Sequence, residues 1–223
     1  MKQTRTVTIV GGGTAGWMTA AVLSRWLSQV EIRLIESDEI GTIGVGEATI
    51  PHIRNYLALA DVDVLKMISE SKASFKLGIQ FVDWGAPGEK YIHGFGKIGR
   101  DMLWLHTHQL WLAAKERTPG SVKHFDHYSI NAAACLKNRF RFGDPRNPAS
   151  PIAQLDYAYH FDASLFARYL RAVSEERGVK RIEGRIVEVR QHPETGYVEA
   201  VKLASGQMVD GDLFVDCSGM RAL

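Results

Sequence analysis

Gly11-Gly12-Gly13-Thr14-Ala15-Gly16 sets three glycines at the spacing G-x-G-x-x-G, and Glu36 follows the last of them by twenty residues. Backbone without side chains can approach a pyrophosphate closely, and a carboxylate at that distance can accept hydrogen bonds from a ribose diol. The first glycine permits a tight turn, the second admits the phosphates, and the third lets a helix pack closely on a strand. An acid at position 36 also disfavours a 2′-phosphate. A second point of chemistry is Lys76, set between the apolar residues Phe75 and Leu77 in a run that alternates through Ile79 and Phe81. Spacing alone puts this lysine on the face opposite those residues and predicts it exposed. His93 and Phe95 lie two apart, so on an extended segment their rings share a face.

Other candidate groups converge less well. His106 and His108, His124 and His127, and His160 with Asp162 make up no helical H-E-x-x-H and no complete ligand set, so no metal site is expected. No Gly-x-Ser-x-Gly elbow is present, which argues against a hydrolase of that kind. Cys135 and Cys217 are too few and too far apart for a disulfide framework, and a reduced, cytoplasmic protein is expected.

The glycine run needs elements on both sides of it. Val7-Thr8-Ile9-Val10 reads as a short buried strand, Trp17 to Leu27 as a largely buried helix, and Val30 to Glu36 as a second strand. Strand, glycine turn, helix, strand is a βαβ unit, with its two strands parallel. The helix N-terminus then offers free N–H groups and partial positive charge to phosphates. Ala20 is small where the helix crosses the sheet, and a late strand, Leu213 to Asp216, runs into Cys217-Ser218-Gly219; such a return strand favours FAD over a nicotinamide.

Further along, Gly41 to Pro51 reads as a glycine-punctuated loop, and Pro51 opens a helix over His52 to Leu59. The alternation from Phe75 predicts one strand reaching Trp84, and a helix is expected from about Met102 to Lys115. Gly143 to Pro151, with three prolines, reads as irregular. Asp162 or Ser164 can cap a helix that Gly178 stops. Ile182 to Val189 and Tyr197 to Leu203 flank Pro193-Glu194-Thr195-Gly196 as a hairpin.

The 223 residues carry 27 Lys plus Arg against 25 Asp plus Glu, a formal charge of +2, and are 45% hydrophobic. A chain of this length buries roughly 70–75% of its unfolded surface, enough for a core without metal or disulfide. Near-balanced charge with no basic stripe argues against nucleic-acid or membrane partners, and the N-terminal apolar run is too short for a signal h-region or a span.

Several segments together resemble the flavin-dependent tryptophan halogenase family. They are Gly11 to Met18, Gly44-Val45-Gly46-Glu47-Ala48-Thr49-Ile50-Pro51, Ser74-Phe75-Lys76 with Phe81-Val82-Asp83-Trp84, His93-Gly94-Phe95-Gly96, Tyr159-His160-Phe161-Asp162-Ala163 and Leu213 to Gly219. The resemblance implies an α/β fold: a Rossmann-like, FAD-binding parallel sheet of the two-part glutathione-reductase type, with a β-hairpin insertion and an interleaved substrate-binding region. It assigns 1–50 and 165–223 to FAD and 51–164 mainly to the substrate side, and implies that a C-terminal portion is missing.

The implied activity uses reduced FAD, oxygen and a halide, chloride or bromide, to make hypohalous acid that halogenates tryptophan or another indole. By the same resemblance Lys76 delivers the halogen. FAD is held by Gly11, Gly13, Thr14, Ala15, Gly16, Glu36, Gly46, Glu47, Ala48 and Ile186, with Arg185 beside the adenine. Pro51, His93 and Phe95 meet the substrate, and Gly44 to Pro51 forms a strap between the two sites. A separate flavin reductase is implied as partner, with a homodimer left open. A flavin hydroxylase, or a flavin-binding fragment without turnover, stands as the alternative.

Overall fold

The computed structural model describes residues 3–40, 46–144 and 146–223. From the N-terminus run β1 (Thr6–Val10), α1 (Thr14–Trp26), β2 (Glu31–Glu36), β3 (Gly46–Ala48), α2 (Ile53–Leu59) and α3 (Val64–Glu70). Next come β4 (Ser74–Lys76), β5 (Gly78–Val82), β6 (Lys90–Gly94), α4 (Thr107–Arg117) and α5 (Ile130–Leu136). Then follow β7 (Ala158–Asp162), α6 (Ala163–Glu176), β8 (Lys180–Glu183), β9 (Ile186–Gln191), β10 (Val198–Leu203), β11 (Met208–Asp210) and β12 (Leu213–Asp216). The chain divides into two compact units, one of Met1–Glu47, Arg54–Ser74 and Phe161–Leu223, the other of Ala48–Ile53 and Phe75–His160. Among the described residues no helix is long and apolar enough to cross a membrane.

The first unit is built on a parallel sheet in the order β12-β1-β2-β8. Its central strands are apolar on both faces, as strands covered on both sides must be: Val7, Ile9 and Val10 of β1 and Ile32, Leu34 and Ile35 of β2 are buried. Helix α1 buries Trp17, Ala20 and Ala21, and the amphipathic α6 buries Phe166, Ala167 and Leu170. Ala20 is fully buried, in keeping with the small residue expected at the helix crossing. The late strand β12 lies parallel to β1 with Val7 opposite Leu213, which returns the chain to the glycine turn.

Local chemistry sets the ends of these elements. Asp162 Oδ1 accepts from Leu165 N at 2.9 Å and caps α6, while Gly178 adopts φ +94° just past its end, a conformation that suits glycine. The Arg177 guanidinium donates to the carbonyls of Ala21, Ala60 and Asp61 at 2.7–3.1 Å.

Several element boundaries differ from the sequence reading; α1, for example, starts at Thr14 and not at Trp17. Ile182 and Glu183 belong to β8 of the parallel sheet, not to the hairpin, because Gly184 at φ +152° breaks the run. The hairpin is β9 with β10, and β11, unforeseen, adds a third antiparallel strand. Val201, Leu203 and Val209 of this meander pack with Ile35 of the sheet.

In the second unit β5 and β6 form an antiparallel hairpin with Ile79 opposite His93. The expected single strand from Phe75 to Trp84 is two strands, since the Leu77 carbonyl is taken by Phe95 N at 2.8 Å and Asn131 Nδ2 at 3.0 Å. Helix α4 starts at Thr107 and not near Met102, because Asp101 Oδ1 accepts from Thr107 N. Helices α3 and α5, each seven residues long, were not foreseen. An aromatic cluster of Phe75, Phe140, Phe142, Tyr157 and Tyr159 fills one side of this unit, with Phe75 and Phe140 stacked at 3.8 Å.

Candidate functional site

A cavity of about 890 Å³ opens in the first unit over the glycine turn. Gly11, Gly13, Thr14, Ala15, Glu36, Glu47 and Ile186, all expected at a flavin, line it, as does Arg185. Gly16 lies beneath, where an added Cβ would collide with the Gly11 carbonyl. Gly11 itself sits at φ +106° with no room for a Cβ against the Cys217 carbonyl. A Cβ on Gly13, by contrast, would meet no atom within 4 Å, leaving the space a pyrophosphate requires.

Gly13 is also the N-cap of α1 and contributes no side-chain hydrogen bond to the first-turn amides. Thr14 and Ala15 of that turn line the cavity, and free first-turn N–H groups are donors for an anion. Arg168, Arg171 and Arg221 add positive charge to its walls. Donor amides, open space over Gly13 and arginines fit the phosphates of FAD.

Glu36 is more heavily engaged than a lone ribose acceptor. Trp17 Nε1 donates to its Oε2 at 3.1 Å, Arg171 Nη1 to its Oε1 at 3.3 Å, and Arg181 Nε also to Oε1. A carboxylate offers about four lone-pair sites, so these three donors fix its orientation and leave room for a hydroxyl. The side chains of Arg181 and Glu36 are largely buried. Glu36→Gln should therefore destabilise the protein by about 1–3 kcal/mol, since a charge-assisted pair becomes a poorly matched amide; urea denaturation reads this directly, and an unchanged midpoint refutes it.

In the second unit Lys76 is only 7% exposed, against the exposure that strand alternation predicts. The strand ends at Lys76, and Phe95, folded back by its bond to Leu77, covers it: the ammonium lies 5.6 Å from the ring centroid. Burial lowers the Lys76 pKa below the usual lysine value. The lysine and Phe95 are thus brought together, whereas His93 is exposed on β6. Pro51 lies in the turn ahead of α2, where Ile53 N donates to Ile50 O at 2.9 Å. Gly46 and Ala48 bound β3; Gly41 to Val45, including the first two residues of the expected strap, lie outside the described residues.

The model of the tryptophan halogenase family matches residues 6–223. The chain belongs to that family. A tryptophan 6-halogenase of Streptomyces albogriseolus is 36% identical over 98% of the chain, and a tryptophan 7-halogenase of Lentzea aerocolonigenes 35% identical over 97%. Each match takes in 43% of the relative, so the chain spans less than half the length of these curated relatives. Among solved structures, a flavin-dependent halogenase from Xanthomonas campestris superposes with TM-score 0.90 at 43% identity, covering 99% of the chain and 43% of its own. One from Brevundimonas sp. BAL3 gives 0.89 at 41%, covering 98% and 43%.

Against this family background the residues that sequence reasoning missed stand out. Trp17, Arg171 and Arg181 all hold Glu36, and none was singled out. Trp17 directly follows the glycine run and could have been suspected; the two arginines come from α6 and β8, more than 130 positions away from Glu36, with no local signal.

Proposed function

We propose that the protein acts as a flavin-dependent halogenase on tryptophan or a related indole, the first unit holding FAD and the second handling the halogen. The buried Lys76 ammonium over the Phe95 ring carries this reading. Bound reduced FAD, with oxygen and chloride or bromide, supplies hypohalous acid. The amides at the start of α1 hold the pyrophosphate, Gly11, Gly13, Thr14, Ala15 and Gly16 shape the cradle, and Glu36 accepts from the ribose. Glu47 and Ile186 complete the flavin wall.

Lys76 then acts on the hypohalous acid. Its ammonium donates a hydrogen bond to the oxygen and raises the positive character of the halogen; its free amine, favoured by burial, could instead take the halogen directly. Phe95, His93 and Pro51 stand beside the substrate, and exclusion of water keeps the reagent from escaping. A separate reductase supplies reduced flavin, and the protein works in the cytoplasm.

The test is to incubate the protein with reduced FAD, oxygen, halide and a panel of indoles, with mass spectrometry of the products and a parallel FAD titration. Halogenated indole supports the proposal, and absence of FAD binding overturns it. FAD binding without product favours a flavin-binding fragment; the 43% coverage of the relatives' length gives that second reading its weight.

A further inference from the structure

The lysine has a neighbour that the halogenation chemistry above does not use. Strands β4 and β7 lie side by side in one sheet, and the rings of Phe75 and Tyr159 meet on one face of it with centroids 5.7 Å apart. Tyr157 is on that face too, 5.8 Å from both rings. Side chains alternate along a strand, so the residues that follow, Lys76 and His160, emerge together on the opposite face.

The described neighbours of the pair on these strands are few. Phe95 covers Lys76 and carries no charge. On the strand of His160, Ala158 is apolar and Asp162 caps α6. Among the described residues Lys76 is the titratable group whose charge acts on His160. His160 stays reachable from solvent. Its pKa is lowered, first by partial burial and then by the Lys76 charge, so at neutral pH it rests as a free base beside a cation.

We infer that His160 is the proton-relay partner of Lys76: it takes up the proton that the aromatic ring releases on halogenation and returns it to the lysine. The inference rests on the lysine chemistry proposed above. Halogenation of a ring carbon replaces C–H by C–halogen. The halogen–oxygen bond breaks as the carbon–halogen bond forms, and the departing oxygen takes a proton from the Lys76 ammonium and leaves as water. The ring is then a cation that must shed its proton, while Lys76 has become a neutral amine.

At that moment the charge that weakened His160 as a base is gone, and its proton affinity rises. The imidazole accepts the ring proton, directly or through water, and the two electrons of the C–H bond restore the aromatic ring. Proton transfer from imidazolium to amine regenerates Lys76 and His160 as they began. The sum is arene plus hypohalous acid giving haloarene plus water, with no further reagent. Each group thus makes the other's next step favourable.

The experiment has two arms. In the first, the protein is supplied with reduced FAD, oxygen, bromide and indole, either ordinary or deuterated at the ring carbons. His160→Gln should lose about 100-fold in turnover, within the range for a lost acid–base group, and should gain a primary deuterium isotope effect that the parent lacks. Added imidazole should restore part of the rate to His160→Gly. An unchanged rate, or a loss with neither isotope effect nor rescue, overturns the relay.

The second arm needs no turnover. The His160 ring protons are followed by NMR across pH in the parent and in Lys76→Met. Loss of the ammonium should move the His160 titration to higher pH; no movement overturns the pairing even in a protein that makes no product. A parent without product but with the expected shift would instead overturn the halogenation proposed above.

Discussion

Lys76→Ala forms roughly 10²- to 10⁴-fold less halogenated indole than the parent, the range expected when a group that polarises or transfers the reacting atom is lost, and binds FAD with unchanged affinity. The two halves of that result come from separate places. Lys76 lies in the second unit, over Phe95, and the flavin cavity is lined by residues of the first. Product measured by mass spectrometry and FAD affinity by fluorescence titration should therefore part company in this variant. Equal product from Lys76→Ala and parent would remove the lysine from the mechanism.

Two further substitutions sharpen the reading. Lys76→Arg keeps the charge but cannot become a free base near neutral pH. Retained product in this variant would favour polarisation of hypohalous acid by a cation, and lost product would favour transfer through the amine. Lys76→Met should raise the denaturation midpoint while abolishing product, because a buried ammonium over a ring is costly to desolvate and an apolar chain of similar length is not. A gain in stability with a loss of activity is the mark of a residue kept for chemistry.

What the sequence made legible was largely local. β1, the glycine turn, α1 and β2 follow one another within thirty-odd residues, and each carries its own signal: β-branched residues, glycines at fixed spacing, an apolar helix, alternation. The late apolar run was legible as a return strand, and its parallel pairing with β1 is what the structure adds. Where contacts from distant parts of the chain decide, periodicity failed. Lys76 alternates out of an apolar face and so reads as exposed, but Leu77 is drawn away by Phe95 and Asn131, the strand ends, and the lysine is buried. The donors on Glu36 from α6 and β8 were hidden for the same reason. Ile182 and Glu183 alternate equally well as part of a hairpin or of a parallel strand, and only Gly184 at φ +152° separates the two. Short helices such as α3 and α5, seven residues each, are too brief to show a helical period.

The glycines of the first turn look alike in the sequence and should respond to substitution in opposite ways. Gly16→Ala puts a methyl group into the Gly11 carbonyl, backbone against backbone, in a turn where Gly11 is itself pressed on the Cys217 carbonyl. Neither side can yield without moving β1 or β12, the pair that forms half of the parallel sheet. Overpacking of this kind costs at least about 1–3 kcal/mol; here the loss should be at the upper end or beyond, and FAD binding should fall with the fold. Gly13→Ala meets open space and should cost no more than about 1 kcal/mol, the penalty of alanine for glycine at a helix N-cap. Its methyl group nonetheless projects from the N-cap of α1, where the pyrophosphate needs bare backbone, so FAD affinity should drop at least about tenfold, or 1.4 kcal/mol. Denaturation and FAD titration on the two variants give the comparison. A Gly13→Ala protein that binds FAD as the parent does would mean that the open space above the glycine turn is not where the phosphates lie.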